Sequence, residues 1–400
     1  MKEFIKSAEE IQKKVVEYRR YLHSHPETDM DLPKTMAYVK EKLEKIGYEP
    51  KIVANSGLIA TVGGKKPGKV VLLRADMDAL PIVEETDLSF KSKNRNMHAC
   101  GHDMHTAMLL GAAELLKEVE NEINGTVKLM FQPAEETLKG AKAMVEAGIL
   151  EDPKVDAAMM IHVFTGLPLP SGLFIIPEAG PSSAASDWFD IKIQGKGGHG
   201  AMPDTTVDPL NVLSHLHISL QALNSREVAP AESIVVTVGK MGGGNTSNVI
   251  PDTASMEGTV RTFNPEVRKF IEKRINEISQ GVSKTFNASA TVNYKNGCPS
   301  VLNDKQLANN AKEILKNIIG KEKVLSFEDI MPGGKLMGSE DFSFVSQKVP
   351  SIMMALSTGN SKEEFKYPQH HPKALFDENP LYLGVAAYAG FAFNWLNMNK

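Results

Sequence analysis

The sequence has 400 residues, of which 42% are hydrophobic and 24% charged, with a formal net charge of -4. At roughly 150 residues per domain, this length predicts two or three domains with ample room for a buried core. The small net charge provides no basic surface for nucleic acid, and no segment approaches the roughly 20 apolar residues of a membrane span. We therefore expect a cytoplasmic protein that has neither nucleic acid nor a membrane as a partner.

The first part of the chain alternates helices with short apolar strands. Apolar residues at helical spacing predict a helix around residues 11–22 and a second one over 31–47. Strands are predicted over 58–62, 70–75, 126–132 and 157–163, with a helix over 105–119 between the second and the third. Because the later strands are continuous apolar runs, they predict a parallel sheet that helices cover on both faces. This pattern is typical of an α/β domain.

The pattern changes near Ser186. Predicted strands and helices then follow in the order βαββαβ: 189–194, 207–223, 233–238, 254–262, 265–285 and 290–294. This order is the ferredoxin-like arrangement, which forms a self-contained domain. A helix over 305–319, a strand over 351–356 and a helix over 381–396 follow. The sequence thus predicts a discontinuous α/β domain over 1–185 and 300–400, with an inserted domain over 186–299.

Acidic residues and a histidine follow the predicted strands. Asp76 and Asp78 come after the strand over 70–75, Glu135 and Glu136 come after the strand over 126–132, and His162 closes the strand over 157–163. The carboxyl ends of strands are where open α/β sheets bind ligands. The positions of these residues therefore predict a polar site at one edge of the sheet.

A denser cluster opens the predicted helix between two of these strands. The segment His98-Ala-Cys-Gly-His-Asp-Met-His105 places three histidines, one cysteine and one aspartate in eight positions. Thiolate, imidazole and carboxylate groups are the ligands of Zn, Ni, Co and Mn. Cys100 and Cys298 cannot form a disulfide framework, which also favours metal binding for Cys100. The late segment His370-His371-Pro372 could supply a closing ligand.

The adjacent acids Glu135 and Glu136 could divide the work of a metal hydrolase. Such an enzyme needs one carboxylate to hold the metal and a second to take a proton from water. Successive side chains that leave a strand tend to point in opposite directions. We therefore expect the two carboxylates to face the site differently and to have different roles.

Three other site motifs are less favoured. The segment Gly195-Lys-Gly-Gly-His-Gly200 spells GxGxxG between a strand and a helix, but His199 occupies the turn and Pro203 interrupts the approach to the helix. The βαββαβ order around it also differs from a dinucleotide-binding fold. Neither GxSxG nor HExxH occurs in the sequence, which argues against a serine hydrolase of the nucleophile-elbow type and against a zincin.

In these motifs the sequence resembles the metal-dependent amidohydrolase family of bacterial aminoacylases, hippurate hydrolases and plant auxin-conjugate (IAA-amino acid) hydrolases, which is related to aminoacylase and carboxypeptidase G. The shared motifs are, in chain order, RRYLHSHPE, RADMDALP, HACGHDMH, QPAEE, GKGGHGAMP, NVIP, GTVR, GSEDF and HHP. The resemblance implies a metal-binding α/β domain that carries an inserted lid or dimerisation domain.

The resemblance also implies a role for individual residues. The implied ligands of a two-metal site are Cys100, His102, Glu136, His162 and His370. Glu135 would be the general base. Asp76 and Asp78 would not bind the metal themselves but would orient the residues that do. His199 would polarise the scissile carbonyl, commonly in the partner subunit's site, and Asn248 and Arg261 would contact substrate. The family's His-x-Pro motif selects His370, with His371 as the alternative.

Two departures from the family pattern leave the substrate open. Asp204 stands where a second histidine often follows the glycine-rich histidine motif, and Ala374-Leu375 replaces an aromatic-acid pair. The main hypothesis is hydrolysis of a small N-acyl amino acid by a homodimer with two divalent ions (Zn, Mn, Co or Ni) per subunit. The alternatives are a dipeptidase or carboxypeptidase with the same site, and a non-catalytic metal-binding scaffold.

Overall fold

A computed structural model of the chain describes residues 3–330, 335–360 and 362–400. Within these ranges the α-helices are α1 (Phe4–Glu10), α2 (Gln12–Ser24), α3 (Pro33–Ile46), α4 (His102–Glu118), α5 (Gly140–Glu146), α6 (Pro209–Ala222), α7 (Pro265–Thr285), α8 (Lys305–Ile319), α9 (Phe327–Ile330), α10 (Ser343–Ser346) and α11 (Leu381–Met398). No helix in the described ranges is long and apolar enough to cross a membrane.

The strands in the same ranges are β1 (Lys51–Val53), β2 (Gly57–Gly63), β3 (Val70–Asp76), β4 (Thr126–Gln132), β5 (Ala157–Phe164), β6 (Phe174–Ile176), β7 (Gly180–Pro181), β8 (Ala185–Gln194), β9 (Gly198–His199), β10 (Ile234–Gly243), β11 (Val249–Ile250), β12 (Thr253–Thr262), β13 (Ser289–Asn296), β14 (Leu302–Asn303), β15 (Val324–Ser326) and β16 (Ser351–Ser357). The chain divides into two compact units. Unit 1 takes in the described residues of Met1–Gly180, Val301–Gly334 and Asp341–Lys400, and unit 2 comprises Pro181–Ser300 and Lys335–Glu340.

Unit 1 contains an eight-stranded sheet in the order β1-β2-β4-β3-β5-β16-β6-β15. Its four central strands are parallel, as the continuous apolar runs predicted. The flanks differ from the predicted all-parallel sheet, because β2 pairs antiparallel with both β1 and β4, and β6 pairs antiparallel with β16. The turn between β1 and β2 is only three residues long, and so short a connection can join only antiparallel neighbours.

The centre of the sheet opens toward the carboxyl ends of its strands. Direct pairing of β3 with β5 ends at Arg74 and Met160. Beyond that point the hydroxyl of Tyr388, on the buried helix α11, donates to Arg74 O (2.7 Å) and accepts from Ile161 N (3.0 Å). The Tyr388 side chain thus takes the place of backbone hydrogen bonds between the carboxyl ends of β3 and β5.

Unit 2 has the predicted ferredoxin-like βαββαβ arrangement. Its antiparallel sheet has the order β10-β12-β8-β13, and α6 and α7 pack on it. Both helices begin at a cap followed by proline. Asp208 accepts from Leu210 N (2.8 Å), and Asn264 accepts from Glu266 N (2.9 Å). A two-stranded ribbon of β9 and β11, which the sequence did not predict, carries His199.

Candidate metal centre

The first turn of α4 begins at a glycine in the left-handed region. Gly101 has a φ of 91°, and a Cβ at this position would collide with Val163 Cγ2. Glycine therefore allows the chain to turn sharply into the helix against β5. The turn places Cys100 just before α4 and His102 within its first turn.

Asp78 holds the turn that carries the two glutamates. Its Oδ1 accepts from Glu135 N (3.0 Å) and its Oδ2 accepts from Glu136 N (3.1 Å). The side chain of Asp78 is fully buried, and burial raises its pKa. Both of its oxygens nonetheless accept N–H groups, which is the bonding pattern of a carboxylate. Asp78 thus positions Glu135 and Glu136 through their backbone.

Both glutamate side chains reach the same histidine. Glu135 Oε2 and Glu136 Oε1 each lie 3.9 Å from His102 Nε2. They share this neighbour in a turn after β4, where the preceding Ala134 has a φ of 55°. Their other neighbours differ. Glu136 Oε1 lies 3.4 Å from His370 Nε2, and Glu136 groups with Cys100.

The structure brings together the five side chains that the resemblance implies as ligands. They form two overlapping groups in which the potential ligand atoms all lie within 4.8 Å of one another. The groups are Cys100, His102 and His162, and Cys100, Glu136 and His370. The ring of His371 instead stacks on Tyr367, with centroids 4.3 Å apart. The geometry therefore favours His370 over His371 for the proposed ligand.

Two of these histidines have a nitrogen ready for a metal. His102 Nδ1 donates to Asp78 O (2.8 Å), and His162 Nδ1 donates to Val163 O (2.6 Å). In the neutral form of each ring, Nε2 therefore keeps its lone pair. His102 Nε2 is buried and makes no hydrogen bond to any residue that the structure describes. A buried imidazole nitrogen in this state, beside a cysteine and carboxylates, fits a divalent metal.

The other two histidines of the cluster are placed differently. His105 Nδ1 donates to Asp76 Oδ1 (2.6 Å) and its Nε2 accepts from Val163 N (2.8 Å), so both of its nitrogens are occupied. Burial lowers the pKa of His105 to about 4 and that of His98 to about 3, so both are neutral near pH 7. Among the described residues, His98 joins none of the candidate ligand groups.

Asp76 belongs to a buried network behind the ligands. Arg74 Nη1 donates to its Oδ2 at 2.7 Å, and Arg74 Nη2 lies 3.1 Å from Asp341 Oδ1. Burial acts to raise the pKa of Asp76, but the guanidinium of Arg74 together with His102 and His105 outweighs burial and holds the pKa well below its usual range. Asp341 Oδ2 also accepts from Ala141 N (2.8 Å) in α5. Sequence reasoning missed Arg74 and Asp341, although both lie in the RADMDALP and GSEDF motifs.

A second buried network supports the start of α4. Asp103 Oδ2 accepts from Arg19 Nε (2.9 Å) and pairs with His23 Nδ1 (2.8 Å). His23 Nε2 lies 3.1 Å from Glu84 Oε1. Asp103 directly follows His102 in the chain. The helix α2, which supplies Arg19 and His23, is thus fastened to the turn that presents His102.

The remaining predicted site residues lie in unit 2. His199, on β9, pairs with Val249 on β11, and Gly200 N donates to Asn248 O (2.9 Å), so His199 and Asn248 are neighbours. Arg261 lies eight residues beyond Thr253 on β12, about 26 Å along the strand at 3.3 Å per residue. Within unit 2 the structure therefore brings Asn248 to His199 and places Arg261 elsewhere. The roles of these three residues stay predictions.

The sequence of this chain is similar to a known family of peptidases. The model of peptidase family M20/M25/M40 matches residues 72–394. The chain belongs to this family. It is 41% identical to the IAA-amino acid hydrolase ILR1-like 4 of Arabidopsis thaliana, over 96% of this chain and 86% of that protein. It is 36% identical to thermostable carboxypeptidase 1 of Saccharolobus solfataricus, over 97% of each chain.

A solved structure shows the same relationship in three dimensions. The Bacillus subtilis YXEP protein, described as a dinuclear metal-binding peptidase of the M20 family, is 33% identical to this chain. It matches over 97% of this chain and 99% of its own, with a TM-score of 0.81. These findings confirm the resemblance drawn from the motifs. This member of the M20 family is a metallo-amidohydrolase that uses divalent metal.

Proposed function

We propose that this M20 hydrolase cleaves the amide bond of N-acyl amino acids with an N-acetyl or another small acyl or aryl group. The observation that carries the proposal is the position of Glu135. Its carboxylate and that of the adjacent Glu136 both lie 3.9 Å from His102 Nε2, but Glu136 also faces Cys100 and His370. One carboxylate can thus hold metal while its neighbour handles a proton. The name of the Arabidopsis relative, an IAA-amino acid hydrolase, supports an acylated amino acid as the substrate class.

Two divalent ions (Zn, Mn, Co or Ni) would be held by Cys100, His102, Glu136, His162 and His370. When bound, such ions would polarise the amide carbonyl and lower the pKa of the attacking water molecule. Glu135 takes the proton from this water as its oxygen adds to the acyl carbon. Protonated Glu135 then donates to the nitrogen of the leaving amine as the C–N bond breaks. The products are the free acid and the free amino acid.

The inserted domain is proposed to complete the site from a second copy of the chain. His199 would donate to the developing oxyanion, and Asn248 and Arg261 would contact the substrate. The exposure of His199 on a two-residue strand is compatible with such a role. In this proposal unit 2 is the lid and dimerisation domain and unit 1 is the catalytic domain. A homodimer and a cytoplasmic location are part of the same proposal.

The second candidate is a carboxypeptidase or dipeptidase that uses the same residues, which the name of the Saccharolobus relative favours. A substrate panel separates the two candidates. For one amino acid, the N-acetyl, N-benzoyl and N-glycyl forms are compared by kcat/KM, with the Glu135→Gln variant as the control for contaminating activity. We expect the acylated forms to be cleaved faster than the dipeptide. A higher kcat/KM for the dipeptide would establish the peptidase instead.

Chelation gives a second arm to this experiment. Removing divalent metal should abolish the cleavage of each substrate, and adding metal back should restore it. The proposed ligands include a buried histidine nitrogen, His102 Nε2, that makes no hydrogen bond to the described part of the chain and is therefore available to a metal. Full activity in fully demetallated protein would contradict the proposed site.

A further inference from the structure

Gln369 lies next to the proposed ligand His370, and its side chain contacts Cys100 and Val163. Its Nε2 lies 3.2 Å from Val163 O, 3.4 Å from Cys100 O and 3.6 Å from Cys100 Sγ. Two of these atoms are carbonyl oxygens, which can only accept hydrogen bonds. The orientation of the amide is therefore fixed by its surroundings. The nitrogen faces Cys100 and Val163, and its two hydrogens are shared among three acceptor atoms of these residues.

Gln369 links three of the five proposed ligands, two through its acceptors and His370 as its neighbour in the chain. Cys100 is itself a proposed ligand, and Val163 O also accepts the Nδ1–H of His162 (2.6 Å). On the other side of Gln369, the backbone N–H of His370 donates to Ala99 O (2.9 Å). The loop that carries His370 is thus joined to the Cys100 segment by a backbone hydrogen bond and by the side chain of Gln369. The side chain of Gln369 contacts both that segment and the carbonyl that orients His162.

The backbone around Gln369 shows why such an anchor is needed. His370 has a φ of 66°, a left-handed conformation that few non-glycine residues adopt. Its ring is half exposed, whereas the facing carboxylate of Glu136 is mostly buried. A strained and partly exposed ligand needs neighbouring contacts to keep its position.

We propose that Gln369 is a positioning residue of the metal centre, whose amide donates to the Cys100 thiolate and to Val163 O and thereby sets the donor strength of the sulfur and the placement of His162 and His370. The inference rests on the proposed metal site. A hydrogen bond to a metal-bound thiolate withdraws charge from sulfur, and partners of this kind are worth about 10- to 100-fold in metal affinity.

The test replaces Gln369 with methionine, which has a similar length but no donor. The matched control is Gln306→Met, an exposed glutamine near the start of α8 in unit 1. Each metal-free protein is loaded with Co(II) alone. Affinity is measured by competition with a chelator, and the thiolate-to-cobalt charge-transfer band is recorded. Circular dichroism of the metal-free proteins checks that they fold.

Loss of the donor should weaken Co(II) binding about 10- to 100-fold and shift the charge-transfer band of Gln369→Met to lower energy. Gln306→Met should match the parent in both measurements. If Gln369→Met does not fold, Gln369→Asn decides the comparison, since its amide is one methylene too short to reach the same acceptors. Parental affinity, or weaker binding with an unmoved band, would overturn the proposal. A parent protein that binds no Co(II) would instead refute the proposed metal site itself.

Discussion

Asp78 gives the sharpest prediction from the structure, because one buried carboxylate positions both glutamates. In Asp78→Asn the amide oxygen can still accept one of the two backbone N–H groups that now bond at 3.0 and 3.1 Å. The other N–H faces an amide NH₂ and loses its acceptor. A hydrogen bond to a charged group is worth about 1.5–3 kcal/mol net. At about 1.4 kcal/mol per tenfold, the expected loss is roughly 10- to 100-fold.

This loss should appear in two measurements, because Asp78 holds the proposed ligand Glu136 and the proposed base Glu135 together. We expect weaker metal binding in a chelator competition, and a lower kcat for an N-acyl amino acid at saturating metal. Asp87→Asn is the matched control, since Asp87 is exposed in the same unit. Parental metal affinity and kcat in folded Asp78→Asn would refute the idea that Asp78 positions the pair.

Three further predictions follow from the same geometry. Cys100→Ser should weaken metal binding more than it lowers the free energy of unfolding of the metal-free protein, since Cys100 belongs to both ligand groups and a hydroxyl is a poor substitute for a thiolate. Unchanged metal content in this variant would remove Cys100 from the site. Mixing inactive His199→Ala and Glu135→Gln proteins should regenerate some activity if His199 acts on the partner's site, and no recovery despite demonstrated subunit exchange would count against that role. Burial acts to lower the pKa of His23, but hydrogen bonds to Asp103 and Glu84 outweigh it and raise the pKa. The stability that His23 contributes is therefore fully present below about pH 6.5 and is lost as pH rises through its folded-state pKa. The difference in Tm between the metal-free parent and His23→Gln should therefore be largest at acid pH and shrink at higher pH, and a difference that grows with pH would contradict the assignment.

Periodicity was sufficient for the elements whose burial follows a simple pattern. The predicted helix over 265–285 and the predicted strand over 126–132 match α7 and β4 to the residue. Strand direction was harder to predict, because an apolar run has the same pattern in either direction. The antiparallel flank of the sheet depends on the short turn between β1 and β2, and three-residue strands such as β1 and β6 are too brief to show a period.

The site was predictable in its composition but not in its hydrogen bonds. Strand ends and the dense HACGHDMH segment indicated side chains that the structure brings together. His102 and His105 are equivalent in sequence, however, and only the contacts of His105 with Asp76 and Val163 distinguish them. Gln369 and Asp341 act through partners that are far away in the chain, so their contacts follow from the fold and not from the local sequence.

The central claim is that two adjacent glutamates have different tasks, and metal content measured together with turnover in Glu135→Gln and Glu136→Gln tests it most directly. Glu135→Gln should stay folded and metal-replete but lose about 10²- to 10⁴-fold in kcat, the usual scale for a general acid or base. Glu136→Gln should lose metal affinity, because a neutral amide is a weaker ligand than a carboxylate, and excess metal should restore part of its activity. The reverse pattern would exchange the two roles, and two active, metal-replete variants would contradict the account.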